Sequence, residues 1–164
     1  PTLIEKDSYV AGIDGVLNAV IVDGKPVGKS TIQGEGAGAA ATTSALVSDI
    51  SSISRGNIKF PFSISNKERK KLKFKNIDER TFSAYLRFEV LDKPGVLSNI
   101  TNIFSKNKVS IKRLVQYPIK SKRSSSIIII THDAKNKHLK RILANISKQK
   151  YIRQKPKLIR INNL

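Results

Sequence analysis

Cysteine is absent from the 164 residues, and so are methionine and tryptophan. Without thiols the chain forms no disulfide, offers no thiolate nucleophile and builds no cysteine-ligated zinc or iron–sulfur centre. His132 and His138 are the only histidines, too few for most metal sites, and both read as surface residues; no metal is expected. Aromatics are sparse at 6%, yet a hydrophobic share of 39% suffices for a packed core. No apolar run approaches the ~20 residues that span a bilayer, and no basic-then-apolar signal segment opens the chain. A membrane span and a secretory route are therefore unsupported, and a cytoplasmic protein is expected.

Acidic residues are scarce as well, 12 against 31 Lys and Arg, for a net charge of +19. The imbalance is not uniform. Residues 1–58 carry four basic and six acidic residues, whereas the remainder carries 27 basic and six acidic ones. Such a change divides the chain into a nearly neutral part and a strongly basic one. The basic part raises nucleic acid as a partner, although lysines drawn onto a solvent-facing surface give the same count.

The neutral part opens its pattern with Gly15-Val-Leu-Asn-Ala-Val-Ile-Val22, a β-branched run. Asp23-Gly24-Lys25-Pro26 turns the chain, and Val27–Gln33 runs back. Gly34-Glu-Gly-Ala-Gly38 then leads into an alanine-rich helix in which Leu46, Ile50 and Ile53 share one face. Arg55-Gly56-Asn57 ends it. Residues 58–82, with Asn66-Lys-Glu-Arg-Lys-Lys-Leu-Lys-Phe-Lys75 at their centre, are polar and without period, and read as a basic linker.

Regular patterning resumes at Ser83. Tyr85–Leu91 alternates as a strand, Asp92-Lys-Pro-Gly95 turns, and Val96, Leu97, Ile100, Ile103 and Phe104 form one helical stripe. Val109–Tyr117 alternates, Ser124–Thr131 contains four consecutive isoleucines, and Leu139, Ile142, Leu143 and Ile146 make a second stripe. Asp133 is placed to cap that second helix, and Lys157–Ile161 is a last strand. The order β-α-β-β-α-β is the ferredoxin-like arrangement. The expected fold class is α+β, with residues 1–57, a linker at 58–82 and a compact domain at 83–164.

Two constellations carry chemistry. The glycines of Gly34–Gly38 lie between a strand and a helix, where backbone N–H groups can receive an anion such as a phosphate. They lack the spacing of a dinucleotide fingerprint and the Lys-Ser/Thr of a P-loop. The turn Asp92–Gly95 also precedes a helix, so its backbone suits a ligand carboxylate, with Asp92 placed for an ammonium and Gln116 offering an amide.

Asn18, Ala19, Gly34, Gly36, Ala37, Gly38, Thr42, Ser44, Ala45 and Asp49 resemble the closing segment of the homoserine dehydrogenase catalytic region. Glu35 and Ala41 stand where that family often has proline. Tyr85-Leu-Arg-Phe, Asp92-Lys-Pro-Gly-Val-Leu97, Val109-Ser-Ile, Gln116 and Thr131-His132 resemble an ACT regulatory domain, which follows the catalytic region in many homoserine dehydrogenases. The resemblance implies an α/β dehydrogenase tail followed by an ACT domain. It implies an NAD(P)-dependent oxidoreductase that interconverts L-aspartate 4-semialdehyde and L-homoserine, on the way to threonine and methionine. Gly36, Ala37 and Gly38 would lie near the NADP or NAD cofactor. Asp92, Gly95, Leu97 and Gln116 would bind an amino-acid effector, threonine, and ACT pairing would make a homo-oligomer such as a dimer. The family's Rossmann fingerprint and catalytic lysine have no counterpart here, so no catalytic residue is assigned and the chain alone is not expected to catalyse the reaction.

Two other functions remain open: a freestanding amino-acid-binding ACT sensor, and a basic RNA-binding module of the same element order. The latter stacks bases on aromatics of its third strand, where Ser124–Ile130 has none. No specific nucleic acid is expected.

Overall fold

Apolar residues at every second position over residues 84–90 and the isoleucines at 127–130 build the centre of a sheet. A computed structural model describes residues 1–57, 65, 67–71, 73, 74, 76–119 and 123–162. The elements are β1 (Thr2–Ile4), β2 (Leu17–Gly24), β3 (Gly28–Glu35), α1 (Ala39–Ser54), β4 (Thr81–Leu91) and α2 (Val96–Lys106), then β5 (Ile111–Ile119), β6 (Ser124–Thr131), β7 (Ala134–Lys135), α3 (Asn136–Ser147) and β8 (Lys157–Asn162). A short 3-10 turn, Ile77–Glu79, precedes β4. The chain divides into two units, one of Pro1–Glu5 with Phe74–Leu164 and one of Lys6–Lys73.

In the first unit the strands run in the order β1-β8-β4-β6-β5, with β7 beside β4. β4 is antiparallel to both β6 and β8, and Phe88 faces Ile127 across one pair. Period two sends Ala84, Leu86, Phe88 and Val90 to one face, where they are buried with Ile127 and Ile129 of β6. The stripes of both helices close over that face: Val96, Ile100 and Phe104 from α2, and Leu139, Ile142 and Ile146 from α3, join the same core. Phe88 and Phe104 meet edge to face, ring centroids 6.4 Å apart. This is the α+β, ferredoxin-like architecture expected from the sequence.

β1 lies outside the grouping drawn from charge, which kept residues 1–57 together. Its three residues pair in parallel with Arg160–Asn162 of β8, so the first five residues belong with the later domain. The expected linker also holds structure: Asn76 accepts a hydrogen bond from the Asp78 N–H at 3.0 Å and starts the 3-10 turn, and β4 begins at Thr81. Residues 58–64, 66, 72 and 75 of that linker lie outside the described residues.

The second unit is a hairpin and a helix. β2 and β3 pair antiparallel from Leu17↔Glu35 to Gly24↔Gly28, around the loop Lys25–Val27. α1 follows, and none of its residues is buried.

Candidate functional site

The turn after β4 is fixed by its neighbours before any ligand is considered. The Asp92 N–H donates to the Arg123 carbonyl at 3.0 Å, and the Lys93 N–H donates to the Leu91 carbonyl at 3.1 Å. Gly95 then takes φ 85°, ψ −17°, the left-handed conformation that costs other residues about 1–2 kcal/mol, and serves as the N-cap of α2. No side chain caps the helix and no acidic residue sits in its first turn. The N–H groups of Leu97 and Ser98 consequently have no intrahelical partner and lie at the positive end of the helix dipole.

Asp92, Gly95, Leu97 and Gln116 all line one cavity of about 130 Å³, together with Val90, Leu91, Lys93, Pro94, Val96 and Ile127. The four residues singled out from sequence thus come together in space. Gln116 reaches the site because β5 pairs with β6 at Gln116↔Ile127, and Ile127 is itself part of the wall. Its Nε2 donates to Asp92 Oδ1 at 3.4 Å, a long contact. Lys93 and Val96 line the cavity in addition to the expected residues, and their proximity in sequence to Asp92 and Gly95 is the signal that points to them. Val90 and Ile127 come from strands that only the sheet register brings alongside.

The other expected site lies wholly in Lys6–Lys73. The Gly36 N–H donates to the Val16 carbonyl at 3.2 Å, and the Asn18 side-chain amide occupies the place that a Cβ on Gly36 would take. Only glycine fits there without displacing Asn18. Gly38 is the N-cap of α1 at φ 115°, ψ 149°, a region reserved for glycine. Its carbonyl accepts from the Thr42 N–H at 3.1 Å and from Thr42 Oγ1 at 2.9 Å. Asn18, Gly36, Gly38 and Thr42, scattered in the motif, therefore form one local structure. Ala37 sits between the two special glycines, and the N–H groups of Ala39–Ala41 have no intrahelical partner.

A third cluster leaves no motif in the sequence. Asp78 and Glu79 of the 3-10 turn meet the start of α3. Glu79 pairs with Lys135 at 2.8 Å and Lys137 at 2.6 Å, and Asp78 pairs with Lys140 at 2.6 Å and accepts from Asn136 Nδ2 at 3.1 Å. Hydrogen bonds from Lys135 and Lys137 bring the Glu79 carboxyl down to about 2, and the Lys140 hydrogen bond lowers that of Asp78. Asp133 does not cap α3: the N-cap is Lys135, and the Asp133 carboxylate accepts from Ser83 Oγ at 2.6 Å. The negative end that α3 needs comes instead from residues some sixty positions earlier.

Comparison with known proteins finds matches to both parts of the chain. Residues 84–150 match the ACT domain family, and residues 1–51 match the homoserine dehydrogenase family. Among curated relatives, a homoserine dehydrogenase of Neisseria gonorrhoeae is 34% identical over all of this chain, and one of Helicobacter pylori is 31% identical over 99% of it. The chain spans about two fifths of their length, 39% and 38%. A solved homoserine dehydrogenase from Thiobacillus denitrificans superposes with a TM-score of 0.85 at 30% identity, over 99% of this chain and 38% of its own. A homoserine dehydrogenase of S. aureus, at 23% identity and a TM-score of 0.54, shares the fold. Along its whole length the chain is thus related to homoserine dehydrogenases, and its later part is an ACT domain.

Proposed function

We propose that the chain is the C-terminal part of a homoserine dehydrogenase, a cytoplasmic NAD(P)-dependent oxidoreductase interconverting L-aspartate 4-semialdehyde and L-homoserine, and that its ACT domain binds an amino acid, threonine, as feedback effector. The observation that carries the regulatory half is the convergence of Asp92, Gly95, Leu97 and Gln116 on one small cavity at the start of α2. The ligand carboxylate takes the Leu97 and Ser98 N–H groups, the ammonium takes Asp92, and the Gln116 amide completes the recognition. Paired ACT domains then favour one arrangement when occupied, which biases the catalytic region.

The residues of the glycine turn suit a nicotinamide dinucleotide's phosphates: open space beside Gly38, no side-chain cap, and N–H groups without an intrahelical partner at the start of α1. Bound there, the cofactor would supply hydride transfer. Gly36, Ala37 and Gly38 would contribute backbone approach and no acid–base chemistry. The exposed stripe Leu46, Ile50 and Ile53 of α1 would be covered by the remaining part of such an enzyme.

Calorimetric titration of the chain with L-threonine, with L-serine and L-lysine as controls, tests the regulatory site. Saturable threonine binding weakened about tenfold or more by Asp92→Ala supports it. Absence of heat with every amino acid, from protein shown to be folded, reduces the ACT domain to a pairing element.

A further inference from the structure

β4 has two ends. One leads into the Asp92 turn, and the other, about 30 Å away for an eleven-residue strand, opens a cavity of about 190 Å³. Two arginines line it, Arg80 and Arg160, with Phe82, Ile77, Thr2 and Asn162 among the remaining walls. Both arginines are anchored by their backbones. The Arg80 N–H donates to the Ile77 carbonyl at 3.2 Å and its carbonyl accepts from the Asn136 N–H at 2.9 Å. Arg160 lies in β8 between Thr2 of β1 and Ala84 of β4. The Arg160 guanidinium sits over the Phe82 ring at 5.1 Å, which restrains its plane.

Among the described residues no carboxylate lines this cavity. The adjacent acids, Asp78 and Glu79, are held by Lys135, Lys137 and Lys140, and neither arginine has an acidic partner among the described residues. Two arginines therefore line a shared space to which no described residue contributes a carboxylate. Guanidinium is the side chain whose planar donor pair matches the edge of a carboxylate or phosphate. The volume falls below the ~300–1,000 Å³ of pockets for drug-sized ligands, so the occupant is small.

We propose that Arg80 and Arg160 form a second ligand site of this domain, for a small oxyanion of phosphate or carboxylate type. Thr2 belongs to β1, which leads into residues 6–57, and Arg80 stands where the chain returns after the linker. A bound anion thus ties β1 and the returning chain to the sheet at both junctions, and its site is separate from the Asp92 turn.

The test is calorimetric titration of the full chain with inorganic phosphate, and separately with succinate, at fixed ionic strength; the two arms tell a phosphate site from a carboxylate one. The expected result is one saturable site for at least one anion, weakened about tenfold or more by Arg80→Gln and by Arg160→Gln. Arg160→Lys, which keeps the charge and loses the fork, should weaken it by an intermediate factor. Arg113→Gln, which removes an equal charge elsewhere, and Asp92→Ala should leave it unchanged, with circular dichroism verifying the fold of each variant. In parallel, the Leu3 and Ile4 amides should exchange with deuterium more slowly when the anion is present. Equal weakening by Arg113→Gln would reduce the binding to adsorption on a protein of charge +19. That result, or no saturable binding of either anion, overturns the proposal.

Discussion

Two hydroxyls on the same strand face show how a residue's value depends on its partner rather than on its type. Thr131 and Ser125 both lie in β6, both are fully buried, and both stand among isoleucines of the core. Thr131 Oγ1 accepts the Ala84 N–H at 3.0 Å, so it satisfies a backbone donor that the sheet leaves over. Ser125 Oγ has no hydrogen-bond partner among the described residues. Thr131→Val keeps the shape and strands a buried N–H, which costs about 1–3 kcal/mol. Ser125→Ala removes an unpaired polar atom, and its expected effect is neutral or stabilising by at most about 1 kcal/mol. Urea unfolding of the two variants measures the contrast. Equal destabilisation by both would mean that Ser125 carries a bond comparable to that of Thr131.

Among the elements, the clearest dependence on conditions belongs to the clamp between the 3-10 turn and α3. Glu79 titrates near 2 in the folded chain against an ordinary value of 4.5, held down by Lys135 and Lys137. A depressed carboxyl contributes stability that is fully present above its unfolded value and lost as the pH falls through its folded one. The clamp therefore operates above about pH 4.5 and fails toward pH 2. Glu79→Gln should flatten the pH dependence of the unfolding midpoint across that window, and added salt should reduce the difference, because the carboxylates are 40–41% exposed. An unchanged acid slope in the variant would show that the lysines do not hold Glu79. This clamp also marks the limit of what the sequence disclosed. Strands β4, β6 and β8 and both helices of the domain were legible because their apolar spacing matches the period of the element that forms. β1 and β7, of three and two residues, are too short to show a period and exist because β8 and β4 offer them an edge. The Asp92–Gly95 turn was legible since adjacent residues build most of it. The Asp78 and Glu79 contacts, spanning 56 to 62 positions, leave no local trace, so local spacing points to Asp133 as the cap that they replace.

At the scale of the whole molecule, burial divides more sharply than charge does. The buried apolar residues all fall between Ala84 and Ile146, whereas Lys6–Lys73 contributes none among the described residues. Its apolar side chains are present but uncovered: Val20, Ile32, Leu46, Ile50 and Ile53 are each 57–67% exposed. A hairpin and one helix without a shared core must be weakly stable, because hydrogen bonds along α1 and between β2 and β3 do not offset backbone ordering of about 1–2 kcal/mol per residue. The two units should accordingly open independently. Native-state hydrogen exchange on the chain is expected to give α1, β2 and β3 opening free energies near zero, while the amides of β4 and β6 exchange only through global unfolding of the ACT domain. Removing residues 1–73 should then leave the protection of β6 unchanged and relax β8, whose neighbour β1 is lost. Protection of α1 equal to that of β6 would contradict this division, and would require a partner surface, most simply a second copy, covering Leu46, Ile50 and Ile53 in solution.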